Sequence, residues 1–295
     1  MRDFQEDNVV ARQRQMETIF VDHDRHRLAS AAIERFHTPV KGGLPSRGKL
    51  AALIGDSRIG KTFAANRYAS KFPSEIGQNG VKRKVVVIDS PIEGGPRGLI
   101  DSAASAFGLA LSHRMPNPHA VEAVLKEMKR SSVELVILDE ANIIFYDKNK
   151  RVLNFARNFI RKMLNIQAFN IVCIGLEETY SILAEDAQLI GRGGLEHCRL
   201  RPYNWNDESD RKGFRVLCQK FDEEMPFEPA GFASMDFSYR LFMACKGNIG
   251  WLKFLMEAAG ALAINECAPV VDLSHFAQAW DARKRPGEQF NPFSR

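Results

Sequence analysis

The segment Gly55-Asp56-Ser57-Arg58-Ile59-Gly60-Lys61-Thr62 sets two glycines, an amine and a hydroxyl at the spacing of a phosphate-binding loop. An apolar run at 50–54 precedes it and a helical pattern at 63–68 follows, so the loop joins a strand to a helix. Glycines let successive backbone N–H groups curl around anionic oxygens, and the following helix points its positive end at them. In such a loop Lys61 would reach the β- and γ-phosphates, and the Thr62 hydroxyl would sit on Mg²⁺. ATP and Mg²⁺ are the cofactors these residue types imply.

A second chemical signal is Val136-Ile137-Leu138-Asp139-Glu140, an apolar strand that ends in two carboxylates. Asp139 would hold Mg²⁺ through water, complementing Thr62, and Glu140 would polarise a water for in-line attack on the γ-phosphate. Phosphoryl transfer asks the protein mainly for positioning and charge stabilisation, so these few groups suffice. Apolar residues followed by Asp-Glu occur at many strand ends. One strand further on from a phosphate loop, the pattern points to ATP hydrolysis.

Groups so far apart in the chain need a sheet to bring them together. Four short apolar runs, 50–54, 84–89, 133–139 and 170–175, are separated by helical patterns. Runs of that length, rich in Val, Ile and Leu, are typical of parallel strands buried on both faces. Between the second and third, Asn117-Pro118 has the form of a helix cap followed by proline at the first position. Val121, Val124, Leu125 and Met128 then mark one helical face. The alternation predicts a three-layer αβα fold with right-handed crossovers and a ligand site at the carboxyl ends of the strands.

The predicted organisation is a helical, charged leading segment at 1–46, the sheet domain at 47–202, a helical domain at 203–285 and a flexible basic tail at 286–295. In the helical domain Phe214, Leu217, Cys218 and Phe221 share a face, as do Leu252, Leu255, Met256, Ala259 and Leu262, and then Leu273, Phe276, Ala277 and Trp280. No strand is required after about Pro202. The five cysteines are scattered without a close pair, which suggests neither a zinc site nor a disulfide framework. No apolar run approaches the roughly 20 residues that span a bilayer, and the first seven residues carry no apolar signal core, so a cytoplasmic location is expected. A net charge of +5 permits nucleic-acid binding without demonstrating it.

The Asp-Glu pair, the intervening strand and the trailing helical unit resemble the AAA+ ATPases. Further along, Asp186-Ala187-Gln188-Leu189-Ile190-Gly191-Arg192 resembles the D-x-Q-L-x-x-R segment of the TniB/TnsC group of transposition ATPases, the MuB-like regulators of target selection. Leu200-Arg201-Pro202-Tyr203-Asn204-Trp205 is similar to that group's strand and following Trp, and Gly247-Asn248-Ile249-Gly250-Trp251-Leu252-Lys253 to its lid helix. The likeness runs from about Arg12 to Asp281.

The resemblance implies a P-loop AAA+ core with a helical lid and a DNA-binding ATPase that oligomerises on duplex DNA. It implies a ring or filament that directs a transposase to target sites, with hydrolysis driving disassembly. The implied partners are duplex DNA, further copies of the chain, a DDE-type transposase and a TniQ-like targeting protein. Arg192 would be the arginine finger acting on a neighbouring subunit's γ-phosphate, with Arg201 as the alternative, since Gly193-Gly194 departs from the group's pattern. Lys253 would be a second sensor in the lid or else a solvated helix lysine. The polar residue that the group carries after Gly175 is here Leu176, so either another side chain substitutes or hydrolysis is slow. Arg97, Arg114 and His119 would grip the DNA backbone or else be ordinary exposed charges. A nucleotide-gated scaffold with little turnover and a AAA+ loader in DNA repair or replication remain the alternative functions.

Overall fold

The computed structural model describes residues 6–294 apart from 79, 92–94, 146–149, 192–193, 285, 286 and 288. The chain divides into two compact units, one of Arg25–Arg201 and one of Met1–Asp24 with Pro202–Arg295. The helical segment expected at 1–46 is therefore shared between the two. Its helices α1 (Glu6–Thr18) and α2 (Asp24–His37) precede β1 (Leu50–Gly55) and α3 (Lys61–Ala69). A short antiparallel hairpin follows, β2 (Glu75–Gly77) and β3 (Gly80–Lys82), then β4 (Val85–Asp89), α4 (Pro96–Ala106) and α5 (Asn117–Arg130). The unit continues through β5 (Leu135–Asp139), α6 (Ala141–Phe145), α7 (Lys150–Asn165) and β6 (Asn170–Gly175). It closes with α8 (Glu177–Ala184), α9 (Ala187–Ile190) and β7 (Glu196–Leu200).

The main sheet runs β4-β5-β6-β1-β7, and its strand pairs are parallel. Every residue of β5 and β6 is buried, as a strand covered on both faces must be. The register brings the carboxyl ends into line: Ile54 pairs with Gly175, Gly55 with Leu200, and Asp89 with Asp139. On one side of the sheet Ile100, Val124, Met128, Phe159, Ile160 and Met163 form a buried cluster with Val136, Leu138 and Ile171. Each such side chain contributes about 1.5–3 kcal/mol by leaving water.

Two local expectations change. Asn117 is the first residue of α5 and not its cap; Pro116 precedes it in extended conformation and no side chain caps the helix. Pro118 has no N–H to satisfy, which lowers the need for a cap. The fifth strand, β7, has the sequence Glu-His-Cys-Arg-Leu, with only Cys198 and Leu200 buried. An edge strand of this kind carries no continuous apolar run, so only the family likeness pointed to it.

The second unit holds α1 with α10 (Glu208–Glu224), α11 (Met235–Cys245), α12 (Ile249–Asn265) and α13 (Leu273–Asp281). Phe214, Leu217, Cys218 and Phe221 of α10 are buried, as are Leu252, Leu255, Met256 and Ala259 of α12. Arg12 ties α1 to this unit through its Nε, which donates to the Pro226 carbonyl at 3.2 Å, and through stacking over Phe227. The flexible tail expected at 286–295 is corrected over its described part. Phe293 is 3% exposed and stacks on Phe276 at 5.3 Å, and the Asn291 amide donates to the Ala277 carbonyl at 3.0 Å. One buried aromatic ring and its hydrogen bonds outweigh the polar composition around them. Among the described residues no helix is long and apolar enough to cross a membrane.

Candidate nucleotide site

The phosphate loop is held at both ends by packing. A Cβ on Gly55 would lie 2.6 Å from the Leu200 carbonyl oxygen of β7, so glycine alone fits there. Ile59 is 1% exposed and anchors the loop's middle in the core, leaving Asp56, Ser57 and Arg58 exposed. Gly60 has φ of 93°, the left-handed region that glycine enters without strain, and caps α3 with no side chain over the helix's first N–H groups. The positive end of α3 is thereby available to an anion.

Lys61 is 5% exposed, and its Nζ donates to the carbonyls of Gly55 and Asp56, each at 2.7 Å. Burial lowers its pKa, while the charges of Glu140, Asp139 and Asp56 oppose that shift. Those carboxylates keep a cation at the sheet's carboxyl edge.

Asp139, at the end of β5, is 2% exposed. Burial raises its pKa; the nearby Thr62 hydroxyl and the hydrogen bond from the Glu140 backbone N–H pull the other way, and the charges of Glu140 and Asp89 add to the rise. The N–H of Glu140 lies 2.8 Å from Asp139 Oδ1. The chain then turns sharply, because Glu140 has φ of 48°. A left-handed residue other than glycine costs roughly 1–2 kcal/mol, and the strain exposes the Glu140 carboxylate directly beside Asp139. Ser90, just past β4, donates from its hydroxyl to the Asp139 carbonyl at 2.7 Å and steadies the same turn. Its place was not evident from the sequence, although its position one residue after a strand end was the available signal.

These residues fit a magnesium nucleotide. The Thr62 hydroxyl is near enough to Asp139 to hold its pKa down, and Mg²⁺ needs only one or two protein oxygens when phosphates supply others. A cation there would also relieve the crowding of Asp139, Glu140 and Asp89.

At the end of β6 the residue after Gly175 is Leu176, half-buried and apolar, as the sequence shows. Two polar groups that sequence reasoning missed lie alongside. Thr179 Oγ1, on α8, and Asn142 Oδ1, on α6, are buried without a hydrogen-bond partner among the described residues. Leaving such an atom unpaired costs about 1–3 kcal/mol, so two of them at one strand end call for a reason.

The remaining predicted residues are dispersed. Arg97 is a correction: its Nε donates to Asp101 at 2.9 Å, and its two terminal nitrogens donate to the carbonyls of Met115 at 2.8 Å and Ser112 at 2.9 Å. It staples α4 to the loop before α5, and its fork is spent within the protein. Arg114 and His119 are exposed. Lys253 lies in the helical unit, where its Nζ donates to the Glu17 carbonyl at 3.3 Å and pairs with Glu257 at 3.5 Å. Asp186 caps α9, accepting from the N–H groups of Gln188 and Leu189. Arg192 lies outside the described residues, and Arg201 is exposed at the end of the sheet unit.

Comparison with known proteins places this geometry. Among the solved structures that align with it are the Aeropyrum pernix ORC1 protein in complex with DNA, the Aeropyrum pernix ORC2 protein in ADPNP–ADP complexes, and Drosophila ORC bound to DNA. The first shows 16% identity and a TM-score of 0.64, covering 89% of this chain and 66% of its own. The second shows 12% identity and a TM-score of 0.61, covering 94% and 72%. The third shows 14% and 0.57, covering 92% and 64%. Thus the chain spans just under two thirds of the first and third. At such identities the likeness establishes the fold, that of P-loop AAA+ ATPases with a helical C-terminal region. No curated protein matches the chain. Residues 14–203 match the family described as Bacterial TniB protein. That match spans more than half of the sequence and covers the phosphate loop, the Asp139-Glu140 turn and the Asp186 segment alike: the chain belongs to the TniB family.

Proposed function

We propose that this protein is an ATP-dependent regulator of DNA transposition that assembles on duplex DNA and directs a transposase to its target. One observation carries the reading: the phosphate loop with Lys61 buried at its end shares the sheet's carboxyl edge with the buried Asp139 and a strained, exposed Glu140, in a chain of the TniB family. In this reading the N–H groups opening α3 and the Lys61 ammonium hold the phosphates, and Thr62 and Asp139 hold Mg²⁺. The metal would supply neutralisation of the charge on the phosphates. Glu140 takes a proton from the attacking water, and Arg192 of a neighbouring copy stabilises the charge that develops. The DNA named for two of the structural relatives is consistent with a duplex partner here. Arg114 and His119 remain the proposed backbone contacts, which would be independent of sequence and sensitive to salt. A TniQ-like protein and a DDE-type transposase are the proposed protein partners.

Electron micrographs of the protein with duplex DNA and a slowly hydrolysed ATP analogue are expected to show rings or helical filaments, which Lys61→Ala abolishes. Monomers that ignore DNA under every nucleotide condition would refute the proposal. A scaffold that binds ATP with little turnover is favoured by one observation, the apolar Leu176 at the end of β6. Phosphate release separates the two: a DNA-stimulated rate that Glu140→Gln removes supports hydrolysis, and equal background rates support the scaffold.

A further inference from the structure

Strands β5 and β6 are parallel neighbours, with Leu138 opposite Cys173, so the residues just beyond their carboxyl ends emerge side by side. Past β5 come Glu140 and, two residues later, Asn142 in the first turn of α6. Past β6 come Leu176 and then Thr179 in the first turn of α8. Gly175 is what lets these turns meet. A methyl group there would overlap the Thr179 hydroxyl and lie 3.1 Å from Asn142 Oδ1. A side chain at 175 would thus occupy the space in which the two polar groups converge.

Thr179 is 0% exposed, and among the described residues neither its Oγ1 nor Asn142 Oδ1 has a hydrogen-bond partner. One is a donor and the other an acceptor, so they are complementary. Unpaired buried polar atoms in a folded protein are uncommon and concentrate where a ligand or a functional rearrangement completes them. Here they face each other from two neighbouring turns, Asn142 from the one that carries Glu140 past β5 and Thr179 from the one past β6, where Leu176 offers no polar atom.

We propose that Asn142 and Thr179 together supply the polar contact that Leu176 cannot, with Thr179 the positioning residue and Asn142 the group that touches the γ-phosphate or its attacking water. As they stand the two atoms are not bonded; a small turn of either side chain lets the Thr179 hydroxyl donate to Asn142 Oδ1. That bond fixes the amide plane and leaves the Asn142 N–H groups to donate to an anionic oxygen. In hydrolysis the water oxygen bonds to the γ-phosphorus, its proton passes to Glu140, and the bond to the β-phosphate oxygen breaks as ADP leaves. Asn142 holds no proton in this sequence; it orients and stabilises. The inference rests on the nucleotide reading above and deepens it, because it gives the site a means to tell ATP from ADP.

The test compares wild type, Asn142→Ala, Thr179→Val and Thr179→Ser in single-turnover ATP hydrolysis and in binding of fluorescent ADP and ATPγS, with nucleotide-free melting as the fold control. Asn142→Ala is expected to slow single-turnover hydrolysis about 100-fold, the usual loss for one oriented donor. It should also reduce the preference for ATPγS over ADP by at least about fivefold while ADP affinity holds. Thr179→Val, nearly isosteric, should reproduce most of both losses, and Thr179→Ser should restore them. Wild-type rates and preference in both Asn142→Ala and Thr179→Val would overturn the proposal. So would an equal loss of ADP and ATPγS binding, which marks a purely structural role. If wild type binds ATPγS without hydrolysing it, the preference ratio still decides the matter. Failure of wild type to bind any nucleotide defeats the ATPase reading and this inference together, whereas normal binding with an unaltered ratio defeats only this one.

Discussion

Thr62 and Asp139 are 77 positions apart in the chain and come near each other because β1 and β5 end on the same edge of the sheet. The Thr62 hydroxyl partly offsets the cost of burying the Asp139 carboxylate. Thr62→Ala should therefore destabilise the nucleotide-free protein by about 1 kcal/mol, a modest figure because Thr62 is exposed and water can replace its hydroxyl. The larger effect belongs to the metal: nucleotide binding in Thr62→Ala should need about tenfold more Mg²⁺, the equivalent of about 1.4 kcal/mol. Thr62→Ser should behave as wild type. Urea unfolding and fluorescent-nucleotide titration across Mg²⁺ concentrations measure the two effects, and an unchanged Mg²⁺ requirement would remove Thr62 from the metal. Lys61, Thr62, Asp139 and Glu140 were legible in the sequence because each is tied to a strand end by a short, ordered motif. Asn142, Thr179 and Ser90 were not, since their significance arises only when the sheet's register sets three separate turns side by side. The glycine that admits two of them, Gly175, looks in sequence like an ordinary strand terminus.

Among the elements, α9 is too short to hold itself. Its four residues are kept in place by Asp186, whose carboxylate caps the helix and also pairs with Arg161 at 2.6 Å and Arg157 at 3.5 Å, both on α7. Burial works to raise the Asp186 pKa, but the hydrogen bond and charge of Arg161 and the N–H groups of Leu189 and Gln188 outweigh it, and the net shift is downward. A carboxylate whose folded pKa is depressed contributes stability that is present above its unfolded pKa and is lost as pH falls through the folded value. Asp186→Asn keeps a competent cap and removes the charge. It should cost about 1–2 kcal/mol near pH 7 and progressively less in acid, converging on wild type below the folded pKa. Denaturant unfolding at a series of pH values reads this directly; a pH-independent difference would mean that the arginines do not stabilise the charge. The same residue shows what sequence can and cannot give at this scale. The four apolar strands were legible because burial on both faces demands unbroken Val, Ile and Leu. The edge strand β7 has two buried residues of five and the hairpin β2–β3 has none, so both lack that signature. Composition likewise concealed the docking of the C-terminal segment, which rests on the ring of Phe293 and on hydrogen bonds made by Asn291, Arg240 and Trp280.

Across the whole molecule the five cysteines sample both units: Cys173 and Cys198 lie in the sheet unit, and Cys218, Cys245 and Cys267 in the helical one. All are free thiols, four of them buried and Cys267 exposed. Burial pushes Cys173 and Cys245 up to about 12, and Cys218 rises by burial with added repulsion from Cys245 and Asp222. Only the thiolate attacks an alkylating reagent, so at pH 8 the native protein should label at Cys267 alone, and the others should react only as their surroundings open. Cys173 sits in β6, two residues before Gly175 at the candidate nucleotide site, so its slow labelling reports the opening of the strand that borders that site. If MgATP binds the closed sheet and not the opened one, nucleotide at 100 times its Kd should slow Cys173 labelling by about 100-fold, the equivalent of about 2.7 kcal/mol. Cys267, already exposed, should keep its rate. Lys61→Ala should erase the protection without altering the nucleotide-free labelling of Cys173 by more than its own effect on stability. Mass spectrometry of timed alkylation resolves the sites separately. Equal slowing at Cys267 and Cys173 would indicate an effect of nucleotide on the reagent or on aggregation, and no slowing at Cys173 would mean that nucleotide does not engage this edge of the sheet.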